Sequence, residues 1–308
     1  LGIGKGDEVI VPDYSWPATG NAVAAVGAKP VFADISLEDV NIETSLLERL
    51  LSPATKAIMP VHAFGNMARM NEIVRFAREN SLFVIEDAAC AFGSTLEGKS
   101  PGQFGDAAVF SFHPRKVLTT GEGGMLVTKS TDIATKARIG RTHGLTRTDG
   151  KAEFQELGFN FRMSELQAAI GRVQLRKSAA ILRRRRENAE LLSHMLDGFA
   201  LLKAPLERVN TIQNYQSYVV LLDENVDRDS VVRGMRMNGI EATLGTYSHS
   251  SQPSYIKQFG VEPISSVPNS IRAFRQAISV PMHGKLSRAD LRRISSTLKF
   301  LIEQHSER

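Results

Sequence analysis

Read from its amino terminus, the chain alternates short apolar runs, rich in β-branched residues, with stretches of helical spacing. The runs are Glu8 to Val11, Pro30 to Asp34, Ala57 to Val61, Leu82 to Ile85, Ala107 to Ser111 and Gly124 to Thr128. They read as strands of a largely buried sheet. Between the third and fourth, Met70, Ile73, Val74, Phe76 and Ala77 recur at helical spacing and predict an amphipathic helix ending near Asn80. The alternation predicts an α/β fold with a mostly parallel central sheet flanked by helices.

After Gly158 the period changes to one long helix, roughly Ser164 to Leu196, with Ser164 as its N-cap. Beyond it the pattern predicts a smaller α+β unit: strands at Tyr218 to Leu222, Ala242 to Thr246 and Ile278 to Val280, a helix from Arg228 to Met237, and a terminal helix from Ser287 to Glu303. The expected organisation is therefore a large α/β domain over 1–162, a linking helix over 163–197, and a small α+β domain over 198–308.

Composition narrows the function. The 308 residues are 42% hydrophobic and 23% charged, enough to bury a sizeable core and too apolar for a disordered chain. No apolar run approaches the roughly 18 residues that cross a bilayer, and no secretory apolar region follows the start, so a cytoplasmic protein is expected. The single cysteine, Cys90, excludes an internal disulfide and a thiolate metal cluster. A net charge of +5 suits an anionic ligand without requiring nucleic acid. The run Arg183-Arg184-Arg185-Arg186 reads as a solvated helix face, since Ile181, Leu182, Ala189 and Leu192 surround it at helical spacing. No metal-ligating pair such as His-Glu-x-x-His occurs, and no metal site is predicted.

Two glycine-rich stretches fail as nucleotide motifs. Gly2-Ile-Gly4-Lys-Gly6 has the wrong spacing for a dinucleotide fingerprint and precedes a strand, and Thr119-Thr-Gly121-Glu-Gly123-Gly124 lacks the Lys-Ser/Thr ending of a phosphate loop. In open parallel sheets ligands bind beyond the carboxyl ends of the strands. Four polar features fall there: Asp13, His62, Asp87 and the segment Ser111 to Lys116. Lys116 follows a strand and a proline turn, and Asp87 ends a buried strand just ahead of the small residues Ala88 and Ala89. A lysine, a carboxylate, small residues and glycine-rich turns at strand ends are the parts needed for pyridoxal phosphate. The lysine forms a Schiff base, and the carboxylate holds the ring nitrogen protonated.

Five segments, in order, resemble the DegT/StrS-type sugar aminotransferases, which are fold type I pyridoxal-phosphate enzymes. They are Asp13-Tyr-Ser-Trp16-Pro-Ala-Thr-Gly, Ile85-Glu-Asp87-Ala-Ala-Cys90-Ala-Phe-Gly93, Ser111-Phe-His-Pro-Arg-Lys116, Gly121-Glu-Gly-Gly124 and Gly158-Phe-Asn160-Phe-Arg-Met-Ser-Glu-Leu-Gln. The resemblance runs from Leu1 to the terminal helix. It implies that Lys116 carries the cofactor and moves the substrate proton, that Asp87 pairs with the ring nitrogen, and that Trp16 stacks on the ring. It further implies that Ser111 binds the cofactor phosphate and that Asn160 reaches the phosphate of a neighbouring subunit, hence a homodimer with shared active sites. Tyr247 and His249 are expected near the substrate. The implied reaction moves an amino group, from L-glutamate as donor, to a nucleotide-linked keto sugar, and Lys116 argues against the dehydratase branch that carries histidine there.

The chain departs from the family pattern twice. Cys90 stands where the family has a glutamine that contacts the cofactor ring oxygen, and a thiol is a weaker hydrogen-bonding partner. No Ser-Gly-Thr phosphate-binding segment precedes the first strand, and the chain opens at Leu1 within a glycine-rich connection. The missing segment implies a chain lacking its natural N-terminal part; with Cys90 it also motivates the competing expectation, a truncated, catalytically impaired member of the family with a regulatory or no enzymatic role.

Overall fold

The computed structural model describes residues 1–260 and 266–306. Its centre is a six-stranded sheet in the order Lys29–Ala33, Glu8–Pro12, Thr55–Ile58, Phe83–Asp87, Ala107–Ser111, Gly124–Val127. The first five strands run parallel and the last is antiparallel to its neighbour. The α/β architecture and all six expected strands are present, with shifted ends. The third strand stops at Ile58 rather than Val61 because Pro60 has no N–H to extend the ladder, and Val61 resumes only as an isolated bridge to Asp87. The fourth reaches Asp87 itself.

Strand alternation sends side chains to both faces. Ile10, Ala33, Ile58 and Val84 pack with Ile73 and Ala77 of the helix Met70–Glu79. Val9, Val11, Phe32 and Ala57 pack on the opposite side with Val23 of the helix Ala18–Ala25. That second helix was not expected, nor was the helix Thr131–Gly140, although Ser130 caps it through Ile133 N. A hairpin, Leu145–Thr148 with Lys151–Phe154, turns on Asp149 and Gly150, both at positive φ. Asp-Gly is a strong hairpin signal, readable in the sequence.

The long helix spans Glu165–Leu196, and the expected Ser164 cap is present as a full capping box with Gln167. It leads to a four-stranded antiparallel sheet, Leu202–Lys203, Tyr218–Leu222, Ala277–Val280, Thr243–Leu244, covered by the helices Arg228–Met237 and Arg288–Gln304. No helix among the described residues is long and apolar enough to cross a membrane.

Two short strand pairs, outside the central sheet, stitch the C-terminal part to the N-terminal part: Tyr14–Ser15 with Tyr247–Ser248, and Thr95–Leu96 with Thr211–Ile212. Buried carboxylates reinforce the seam. Asp13 accepts Ser248 Oγ and Ser250 N, Asp34 accepts the backbone N–H groups of Asn269 and Ser270, and Asp39 meets the guanidinium groups of Arg69 and Arg208. Asp13 is thus a structural tie rather than a ligand-facing strand-end group.

The arginine run requires correction. Arg183 and Arg184 are exposed, but Arg185 is buried and donates to the carbonyls of Tyr215 and Gln216, and burial pulls its pKa down to about 10. Arg186 donates to the carbonyls of Gln213 and Gly93. Consecutive helical residues point about 100° apart, so half the run turns inward and holds loops.

Candidate active site

Strand Phe83–Asp87 delivers two adjacent carboxylates to opposite sides of the sheet. Glu86 is fully buried, accepts the amides of Gly102 and Gly105, and lies 3.1 Å from His62 Nε2. His62 Nδ1 accepts Ala68 N–H, so its Nε2 carries the hydrogen and donates to Glu86. Burial pushes the Glu86 carboxyl up, but His62 and the two amides outweigh it and leave the group below its ordinary value. His62, a strand-end residue of interest in the sequence, is therefore committed to the fold. Asp87 faces the other way and is half-buried. Its Oδ1 accepts Ala89 N at 3.1 Å and its Oδ2 accepts Thr19 Oγ1 at 2.8 Å. Each oxygen thus has one protein donor and capacity for another.

Lys116 follows the last parallel strand through a turn closed by its own N–H to His113 O. Its Nζ lies 3.1 Å from Cys90 Sγ. Burial pushes the Cys90 thiol up, against the lowering pull of the Lys116 charge, while Asp87 adds a further upward push. Cys90 lies in the loop that Asp87 opens, where Ala89 N donates to Asp87 Oδ1, so Lys116 Nζ meets the same strand end that carries Asp87.

Residues distant in sequence fix these loops. The Gln216 amide brackets Lys116, accepting Val117 N with Oε1 and donating Nε2 to Arg115 O. Asn214 donates to the carbonyls of Cys90 and Phe92. Gly65, at positive φ, lies so close to Asn214 that a Cβ there would collide with its Oδ1. Neither Gln216 nor Asn214 carries a local sequence signal for this role, because each acts through a partner about a hundred residues or more away.

Trp16 follows the first strand with its indole 60% exposed, in an edge contact with Tyr247 at 5.7 Å between ring centroids. Its face is available to a flat ligand. Tyr247 is half-buried beside it. His249 does not share that surface. It is fully buried, stacked on Phe32, with Nδ1 3.1 Å from Pro12 O and Nε2 3.3 Å from Trp16 O. Burial pulls its pKa below the ordinary value, against the opposing charge of Asp13. The expectation that His249 lies at the substrate is corrected: it supports the Trp16 backbone from beneath.

Ser111 ends its strand and accepts His113 N with its hydroxyl. Asn160 stands apart, exposed, its side chain held by Arg162 Nε, between the exposed and mutually stacked rings of Phe159 and Phe161. The structure gathers Lys116, Cys90, Asp87 and Thr19, adjoins Trp16 and Tyr247 through the segment from Tyr14 to Thr19, and leaves Asn160 on an outer apolar face. An amine, a carboxylate with acceptor capacity to spare and an uncovered aromatic face fit the donor set that pyridoxal phosphate requires.

A sequence model of the DegT/DnrJ/EryC1/StrS aminotransferase family matches residues 1–299. The chain belongs to this family. Among its relatives, the GDP-perosamine synthase of Caulobacter vibrioides is 35% identical, covering 97% of this chain and 80% of its own. The dTDP-4-dehydro-2,3,6-trideoxy-D-glucose 4-aminotransferase of Saccharopolyspora spinosa is 32% identical, covering 99% of this chain and 80% of its own. In structure the chain is similar to Helicobacter pylori PseC, an aminotransferase involved in the biosynthesis of pseudoaminic acid, with a TM-score of 0.92, 28% identity, 97% coverage of this chain and 81% of that one. The family membership makes the chain an aminotransferase with the fold of the pyridoxal-phosphate aminotransferases.

Proposed function

We propose that this chain transfers an amino group from an amino acid, L-glutamate, to a nucleotide-linked keto sugar, using pyridoxal phosphate. The observation that carries the reading is Lys116 Nζ at 3.1 Å from Cys90 Sγ, in the loop that directly follows Asp87, beside an exposed Trp16 ring, in a member of a sugar aminotransferase family. Two relatives with nucleotide-sugar names support the acceptor class.

Pyridoxal phosphate, when bound, supplies an electron sink that makes a proton on the substrate's nitrogen-bearing carbon removable. The chain's residues supply the rest. Lys116 Nζ would hold the cofactor by its carbonyl carbon and, once displaced by the amino donor, would carry the proton from the donor's nitrogen-bearing carbon to the cofactor carbon that had held the lysine. Cys90 Sγ offers the free amine a resting partner. Asp87 binds the ring nitrogen and holds its proton. Trp16 covers the ring face, Ser111 binds the phosphate with its hydroxyl, and Tyr247 lies next to Trp16 on the acceptor side.

In this reading residues 1–162 form the cofactor-binding unit, 163–197 the connecting helix, and 198–308 the smaller unit that brings Tyr247 to Trp16. Asn160 serves the site of a second copy, making the active form a homodimer. The enzyme works in the cytoplasm and its product feeds a polysaccharide or other glycan. The test is incubation of the pyridoxal-phosphate-loaded chain with L-glutamate and nucleotide-linked keto sugars, beginning with the dTDP-4-dehydro sugar named for the Saccharopolyspora relative. Formation of 2-oxoglutarate with an aminated sugar nucleotide is expected, and its abolition in Lys116→Ala. Undiminished transamination by that variant would refute the assignment.

A further inference from the structure

The segment from Tyr14 to Thr19 does more than present Trp16. Thr19 lies on the first turn of the helix Ala18–Ala25, yet its hydroxyl does not cap that helix, whose N-cap is Pro17 and carries no side-chain cap. Instead Thr19 Oγ1 crosses to Asp87 Oδ2 at 2.8 Å, and Ser15 Oγ lies 3.0 Å from Thr19 Oγ1. Both hydroxyl residues are buried, Thr19 at 3% and Ser15 at 4% exposure.

Proton counting fixes the direction of this chain. Thr19 Oγ1 donates its single hydrogen to Asp87 Oδ2, so toward Ser15 it can only accept. The relay runs from Ser15 to Thr19 to Asp87. With Ala89 N on the other oxygen, it fixes the rotation of the carboxylate plane. Ser15 is in turn fixed by strand pairing with Tyr247.

We infer that Thr19, backed by Ser15, is the positioning residue of Asp87: it orients the carboxylate toward the cofactor's ring nitrogen and keeps it an acceptor. The inference rests on the cofactor reading above. Its effect belongs to cofactor affinity and turnover, not to recognition of the acceptor sugar.

Trp16 is the only tryptophan, so quenching of its fluorescence on titration with pyridoxal phosphate reports binding without turnover. A hydrogen bond to a charged group is strong enough that Thr19→Val should weaken cofactor binding about ten-fold and cut kcat about ten- to a hundred-fold. KM for the acceptor should stay within about three-fold, and Thr19→Ser, which keeps the hydroxyl, should restore both losses. In an Asp87→Ala background Thr19→Val should change nothing further. Should Thr19→Val fail to fold, Ser15→Ala is expected to show the same pattern more weakly. Wild-type affinity and kcat in Thr19→Val, or an equal loss in the Asp87→Ala background, would overturn the inference while leaving the cofactor reading intact. Absence of pyridoxal-phosphate binding by the wild-type chain would overturn both.

Discussion

At the scale of single residues, neighbours in sequence do opposite work. Glu86 is spent on the fold and Asp87 on the site, because strand alternation sends them to opposite sides of one sheet. Glu86 makes a prediction that can be separated from catalysis. Its folded-state pKa lies below the ordinary carboxyl value of 4.5. A depressed carboxyl contributes stability that is fully present above its unfolded value and is lost as pH falls through the folded value. Wild-type stability should therefore fall steeply with pH below about 4.5, and Glu86→Gln should flatten that fall. At pH 7 the variant should be less stable by about 3 kcal/mol, the cost of breaking a buried pair. Urea denaturation across pH 3 to 7 measures both; parallel curves for the two proteins would show that Glu86 titrates as if unfolded.

At the scale of elements, what could be read in the sequence and what could not divide along a physical line. The six sheet strands and the helix Met70–Glu79 announce themselves because burial imposes a period on contiguous residues. The helices Pro253–Phe259 and Pro268–Gln276 open with proline in their first turn, a start signal present in the sequence but not used in the expectations. The same holds for the Asp149-Gly150 hairpin. In the candidate site, Lys116, Asp87 and Trp16 could be singled out because each lies at or just beyond the end of a strand. Thr19 and Gln216 were not, since their importance lies in hydrogen bonds to Asp87, 68 residues on, and to the loop around Lys116, about a hundred residues back. Arg185 was misread for a related reason. A run of like charges suggests solvent, and only the tertiary structure reveals the carbonyls of Tyr215 and Gln216 that receive it. By holding Gln216, Arg185 connects the long helix to the Lys116 loop.

At the scale of the whole molecule, the stretch from Met125 to Val173 leaves many large apolar side chains exposed. Met125, Phe154, Leu157, Phe159, Phe161, Leu166, Ile170 and Val173 are all exposed, with Leu157 fully so and Leu166 at 80%. The start of the long helix meets the glycine loop through Gln167 to Glu122 O, and Asn160 stands in the chain between Phe159 and Phe161, whose rings stack on each other. Apolar surface of this kind marks an interaction site, and a second copy is the occupant our functional reading requires. Sedimentation should show a dimer, converted to monomer by Phe161→Asp. Mixing Lys116→Ala with Asn160→Ala subunits, each impaired alone, should recover about a quarter of wild-type activity, because half the dimers then hold one intact site. A mixture no more active than its components would show that Asn160 does not act across the interface.

The central claim is that Lys116 is the attachment point of the cofactor. It is tested most directly by adding pyridoxal phosphate, reducing with borohydride and analysing the peptides by mass spectrometry. The account predicts a single reduced pyridoxyl adduct on Lys116, lost in Lys116→Ala and weakened in Asp87→Asn. An adduct on another lysine, or none, would contradict it.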